Sequence, residues 1–153
     1  MKRNLILFML LLVLQSCNLY MDAWYELDMY NNSNDTIISW FANINSTYPD
    51  SILPKEDTSV YFETFHPYEK GIVFSADYPF EKWFASDSAK ISIFVFSKDT
   101  LDQYSWEVIR ENYKILIRYD LGYEDIKKLD YTISFPPSKE MEGMNMYPPY
   151  SEW

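Results

Sequence analysis

One cysteine, one histidine and three glycines among 153 residues close off several lines of chemistry. A single thiol, Cys17, excludes an intrachain disulfide and any multi-thiolate metal site. Glycines only at positions 71, 122 and 143 leave no glycine-rich phosphate loop. Any Ser-His-Asp device would have to run through His66, and no Gly-x-Ser-x-Gly elbow supplies its nucleophile. His66 also lacks companions at zinc-ligand spacing, and no Asp-x-Asp-x-Asp-Gly calcium loop is present. Positive charge is scarce too: 13 basic residues face 23 acidic ones. Such a field repels nucleic-acid phosphates and anionic headgroups. The sequence therefore predicts no cofactor, no metal and no nucleic-acid partner.

Carboxylates are plentiful, and Glu63, Asp77, Glu81 and Asp87 lie near the aromatics Tyr78 and Trp83 in sequence. Small all-β domains seldom build the cleft that paired acids need, and an acidic excess usually marks a solvated face. The expectation is a non-catalytic protein.

The only long apolar run is residues 5–14, preceded by Lys2 and Arg3. It is short for a bilayer span but suits a signal-peptide core. The run ends at Leu14-Gln15-Ser16-Cys17, which resembles the lipobox of bacterial lipoproteins, with Gln15 a departure from the usual pattern. The resemblance implies that residues 1–16 are removed and that Cys17 is lipidated as residue one of the mature chain. Losing Lys2 and Arg3 leaves 11 basic against 23 acidic residues, a net charge of −12. Residues 17–22 then form a lipidated tether, 23–137 a single domain and 138–153 a mobile tail. That tail has three Met, no apolar period and a Tyr-Pro-Pro-Tyr-Ser-Glu-Trp close, so docking on its own domain is its favoured alternative.

Aromatic residues make up 19% of the chain, a bias toward pleated, half-buried surfaces. Residues 23–30 alternate, with Tyr25, Leu27 and Met29 on one face. The cluster Asn31-Asn32-Ser33-Asn34-Asp35 reads as the turn of a hairpin to a partner strand at 36–44. Further strands are predicted at 59–65, 71–76, 89–97, 113–119 and 131–135, and 89–97 is apolar on both faces. Short helical segments are expected at 78–84, 105–112 and 123–129, with Thr100 and Gln103 as a candidate capping box. The fold class is mainly β: one antiparallel, sandwich-like domain with two or three short connecting helices, or alternatively an α+β roll.

Four segments carry a family resemblance: residues 91–101, Tyr104-Ser105-Trp106-Glu107 with its continuation to 112, 115–121 and 125–137. Together they are similar to the second half of small exported lipoproteins of Bacteroidota of unknown function. The resemblance implies export and a shared fold, and no catalytic residue. It also gives meaning to four Asp-Ser/Thr motifs, because exported proteins of that phylum are often O-glycosylated there. The candidate acceptors are Thr36, Ser51, Ser88 and Thr100. Asp-Ser/Thr also simply closes turns.

The leading functional expectation is a membrane-anchored interaction module of the cell envelope with a protein partner. The anchor would sit in the outer membrane, with the periplasmic face favoured over the cell surface because only Asp22 lies close after Cys17. Alternatives are an inhibitor or immunity-type protein against a basic target, or a surface glycan binder using Trp40, Trp83 or Trp106. Of these rings, Trp106 falls on a helical apolar stripe and Trp40 lies in a strand, so both are also core candidates.

Overall fold

The computed structural model describes residues 24–42, 53, 62–84, 86 and 89–153. The expected signal peptide, tether, Cys17, Ser51, Ser88 and Asp87 lie outside these residues. Two sheets face each other. The smaller has the order β4-β1-β7, and the larger β3-β2-β5-β6-β8. These are β1 (Tyr25–Asn31), β2 (Ile37–Ala42), β3 (Phe62–Phe65), β4 (Lys70–Ala76), β5 (Ile91–Ser97), β6 (Ile117–Leu121), β7 (Thr132–Phe135) and β8 (Met146–Tyr147). Three short helices join the later strands: α1 (Lys98–Gln103), α2 (Trp106–Glu111) and α3 (Tyr123–Lys128). The protein is mainly β and sandwich-like, as the sequence predicts.

The residue pattern explains which sheet each strand joins. β1 alternates, burying Leu27, Met29 and Asn31 and leaving its other face to solvent. β5 is apolar on both faces and is buried from Ile91 through Phe96. Its Ile91, Ile93 and Val95 enter the core between the sheets with Leu27, Ile117, Tyr119 and Ile133. Its Phe94 and Phe96 enter a second core on the outer face of the larger sheet, with Ile38, Trp40 and Leu53. Ile109 from α2 closes that outer core, and Leu101 and Trp106 pack against it. Ser105 caps α2, its hydroxyl accepting from the Val108 N–H at 3.5 Å.

Four expectations need correction. β1 and β2 are not a hairpin. β1 pairs antiparallel with β4 and parallel with β7, whereas β2 pairs with β3 and β5. Residues 32–36 therefore cross from one sheet to the other. The clue is burial: β2 is apolar on both faces and needs a covered sheet, while β1 alternates.

Thr100 does not cap a helix. α1 begins two residues earlier, after Ser97, and Thr100 lies in its first turn. The strand expected from residue 113 begins at Ile117, because the α2 exit occupies the intervening residues. Tyr113 takes a φ of 47°, and the Lys114 N–H donates back to the Ile109 carbonyl at 3.0 Å. α3 exits in the same way through Asp130, φ 47°. Glycine usually fills such positions, and this chain has few.

The segment after Pro137 is not a mobile tail. Met141, Met144 and Met146 are buried in the inter-sheet core, and β8 pairs with β6. Gly143, φ 84°, makes the turn that returns Met144 to the core, a conformation suited to glycine. Methionine's unbranched chain fills such gaps without an apolar period that a sequence reading can detect.

Candidate interaction surface

β1 starts at Tyr25, opposite Ala76, and ends at Asn31, opposite Phe135, where the Asn31 main-chain N–H donates to the Glu69 carbonyl at 2.8 Å. Two chain crossings between the sheets lie at the Asn31 end: residues 32–36 join β1 to β2, and 66–69 join β3 to β4. One side chain fastens both. Asn31 is fully buried, and its amide nitrogen donates to the carbonyls of Asp35 at 2.7 Å, Phe65 at 3.1 Å and His66 at 3.0 Å. Its carbonyl oxygen accepts from the Ser33 N–H at 3.1 Å and the Ser33 hydroxyl at 2.7 Å.

The surface built on this hub is polar and rigidly supported. The Glu69 carboxylate accepts from the His66 N–H at 2.7 Å, and the Asn32 N–H donates to the Phe135 carbonyl at 2.6 Å. Tyr68 stands out. It is 58% exposed, takes a φ of 61°, and its hydroxyl donates to the Asn34 side chain at 2.6 Å. A non-glycine residue held in the left-handed region costs about 1 kcal/mol or more and marks a position the surroundings dictate. A hydrogen-bonded frame displaying Tyr, His, Asn and Ser has the composition of adaptable, low-entropy recognition surfaces.

The opposite end is built from rings. Phe74 stacks on Phe41 at 4.2 Å and meets Trp83 edge-on at 4.9 Å. Tyr78, 38% exposed as a residue, then stacks flat on Trp83 at 4.9 Å. Trp24, just before β1, is 63% exposed. Because Tyr25 pairs with Ala76, Trp24 and Tyr78 leave the β1–β4 pair at the same end. The Tyr123 hydroxyl donates to Glu81, which holds that carboxyl below its ordinary range and pushes the phenol up.

The sequence candidates are dispersed. His66 is exposed at the Asn31 end, and its main chain rather than its ring is what the hydrogen bonds engage. Glu63 is exposed on β3 of the larger sheet, whereas Asp77 and Glu81 follow β4 of the smaller one. Among the described residues, no group of three or more His, Cys, Asp or Glu is placed to hold a metal. Trp40 is buried in the outer core, and Trp83 and Trp106 are half-buried against neighbours. Thr36 and Thr100 are both half-buried, at the entry to β2 and inside α1.

A buried polar chain runs beside the outer core. Ser92 donates to Asp120 at 2.6 Å, Arg118 Nε donates to the same carboxylate at 3.0 Å, and Arg118 Nη1 donates to the Tyr113 hydroxyl at 2.9 Å. Its members satisfy one another, so its role is to hold β5, β6 and the α2 exit together. Sequence reasoning missed Asn31, which reads as an ordinary turn residue, and Tyr68, whose backbone strain leaves no mark in the sequence. No family model, curated protein or solved structure matches the chain.

Proposed function

We propose that this protein is a lipid-anchored, non-catalytic interaction module of the bacterial envelope, presenting the Asn31 end to a protein partner. The observation that carries the reading is the order of features along the chain. A basic and apolar leader ends in Ser16-Cys17, and β1 then begins at Tyr25 and runs away from the cysteine to the Asn31 hub. Seven strand residues rise about 20 Å or slightly more, so the end at which the tether joins the domain and the polar loops lie at opposite ends of β1. Acyl chains on Cys17 would supply the attachment, and the rigid loops the recognition. Outer-membrane attachment, with the domain on the periplasmic side, belongs to the same reading.

A basic protein fits best as the partner. The mature charge of −12 steers a cation toward the domain, and Asp35 and Glu69 stand exposed among the presented loops. Two neighbouring lysines are already paired, Lys70 with Asp28 and Lys98 with Asp102. This favours an inhibitor or immunity-type role over a glycan binder, since the rings proposed for stacking are covered or half-covered. Glycans at Thr36, Ser51, Ser88 or Thr100 would add to the intact mass.

Metabolic labelling with an alkyne fatty acid, combined with detergent-phase partitioning, tests the anchor. Wild type should carry label and enter the detergent phase, and Cys17→Ser should do neither. Unlabelled wild-type protein in the aqueous phase would overturn the reading. Protease shaving of intact cells then reports the side: protection until the outer membrane is opened is the expected result.

A further inference from the structure

We infer that the Trp24 end of the domain rests on the bilayer, with Trp24 and Tyr78 seated in the interfacial layer of a zwitterionic lipid surface. The inference builds on the proposed lipid at Cys17. Seven peptide steps separate Cys17 from Trp24, and a fully extended chain of that length spans at most about 25 Å. The tether leaves the domain at Trp24 and could reach the Asn31 end, some ~20 Å further along β1, only when almost fully extended, so the Trp24 end is the one it keeps nearest the membrane.

What this end displays suits an interface. Trp24 is the most exposed large apolar side chain of the described residues, and Tyr78 is exposed at the same end of the β1–β4 pair. Both are amphipathic rings of the kind that collect at headgroup depth. Tyr78 is braced from behind by Trp83, which is itself braced by Phe74, so its ring is presented in a fixed position. Lys82, on the 3-10 turn after Pro79, and Lys127, over the Tyr123 ring and beside Glu81, are exposed at the same end. They offset part of the local acidity of Glu26, Asp77, Glu81 and Glu124. The remaining acidity selects a zwitterionic over an anionic surface.

Neither ring would hold a free domain on a membrane. Tethering changes that, because a short linker keeps the rings at an effective concentration in the millimolar range, where a weak contact is occupied. No helix among the described residues is long and apolar enough to cross a membrane, so the contact is one of lying on the surface.

The test uses full-length protein purified from the bacterial envelope and reconstituted into phosphatidylcholine vesicles containing a brominated phospholipid. Flotation reports anchoring, and tryptophan quenching reports contact. Wild type should float and lose part of its tryptophan emission. Trp24→Phe should float but lose most of that quenching, while Trp153→Phe, at the other end, should keep it. Floating protein without quenching, or quenching removed by Trp153→Phe instead, would overturn the resting geometry and leave the anchor intact. Failure of wild type to float would overturn the anchor, and the inference with it.

Discussion

At the Asn31 end one buried amide satisfies three carbonyls from two chain crossings, whereas at the Trp24 end stacked rings fill the space. The first arrangement is directional and intolerant. Each bond has a fixed partner, and losing the donor removes the side-chain bond to the buried Phe65 carbonyl. The second is forgiving, because one apolar ring substitutes for another at modest cost. A domain that must display fixed loops at one end and lie against a soft surface at the other is served by this division.

The largest test of the contrast is Asn31→Ala. Three donated bonds are lost at about 1 kcal/mol each, but the Asp35 carbonyl keeps the Ser33 hydroxyl and the His66 carbonyl keeps the Glu69 N–H, so stability should fall by roughly 2 kcal/mol. Asn31→Asp should be no better, because a carboxylate donates nothing to the three carbonyls. Urea unfolding measures both. A loss below ~1 kcal/mol for either variant would show that the crossings are held by something else.

Trp83→Ala is the counterpart at the other end. The ring is half-buried, packs against Phe74 and carries Tyr78, so a loss of about 2 kcal/mol is expected. Trp83→Phe should recover most of it, which distinguishes a packing role from a polar one. The indole N–H has no hydrogen-bond partner among the described residues, so no described directional bond is lost in that exchange.

Tyr119 brings the directional chemistry into the core. Its buried hydroxyl donates to the Ser134 carbonyl at 2.8 Å, from the larger sheet to the smaller. Tyr119→Phe should cost about 1 kcal/mol near neutrality. Burial pushes the phenol well above its ordinary value near 10, so the folded protein keeps this proton when the unfolded chain releases it. Its stabilising contribution is complete below about pH 10 and declines as pH rises further. Urea midpoints at about pH 8 and about pH 11 should therefore converge for wild type and Tyr119→Phe. Parallel curves would mean that Tyr119 ionises freely in the fold.

How much of this was legible beforehand depended on which kind of interaction carried the information. Period-2 alternation exposes the inward face of β1, and the double apolar face of 89–97 predicts a strand covered on both sides, because burial leaves a local pattern. Partnership leaves none. Asn31 looks the same in a hairpin turn as in a crossing between sheets, since its three acceptors lie up to 35 residues away. Met141, Met144 and Met146 were hidden for a related reason: a 3-10 turn and a glycine bend place them in the core without any regular spacing. The ring-built end was visible as composition but not as geometry. Nothing local says that Tyr78 would stack on Trp83 or that Trp24 would stay open.

Tyr68 should give the smallest change in stability and separate display from support. Tyr68→Gly releases a left-handed backbone strain of about 1 kcal/mol. It also removes an exposed hydroxyl bond to Asn34 of similar size, so unfolding should shift by less than ~1 kcal/mol. Gly at this position keeps the backbone path that brings Glu69 to the His66 N–H. Recognition has no such compensation, because the ring is the largest side chain the two crossings present to solvent. Capture of envelope proteins by immobilised Tyr68→Gly should therefore lose a partner that wild type retains. The Trp83→Ala protein, less stable but unaltered at the Asn31 end, should still retain it below its unfolding transition. A partner lost by Trp83→Ala and kept by Tyr68→Gly would reverse the assignment of the two ends.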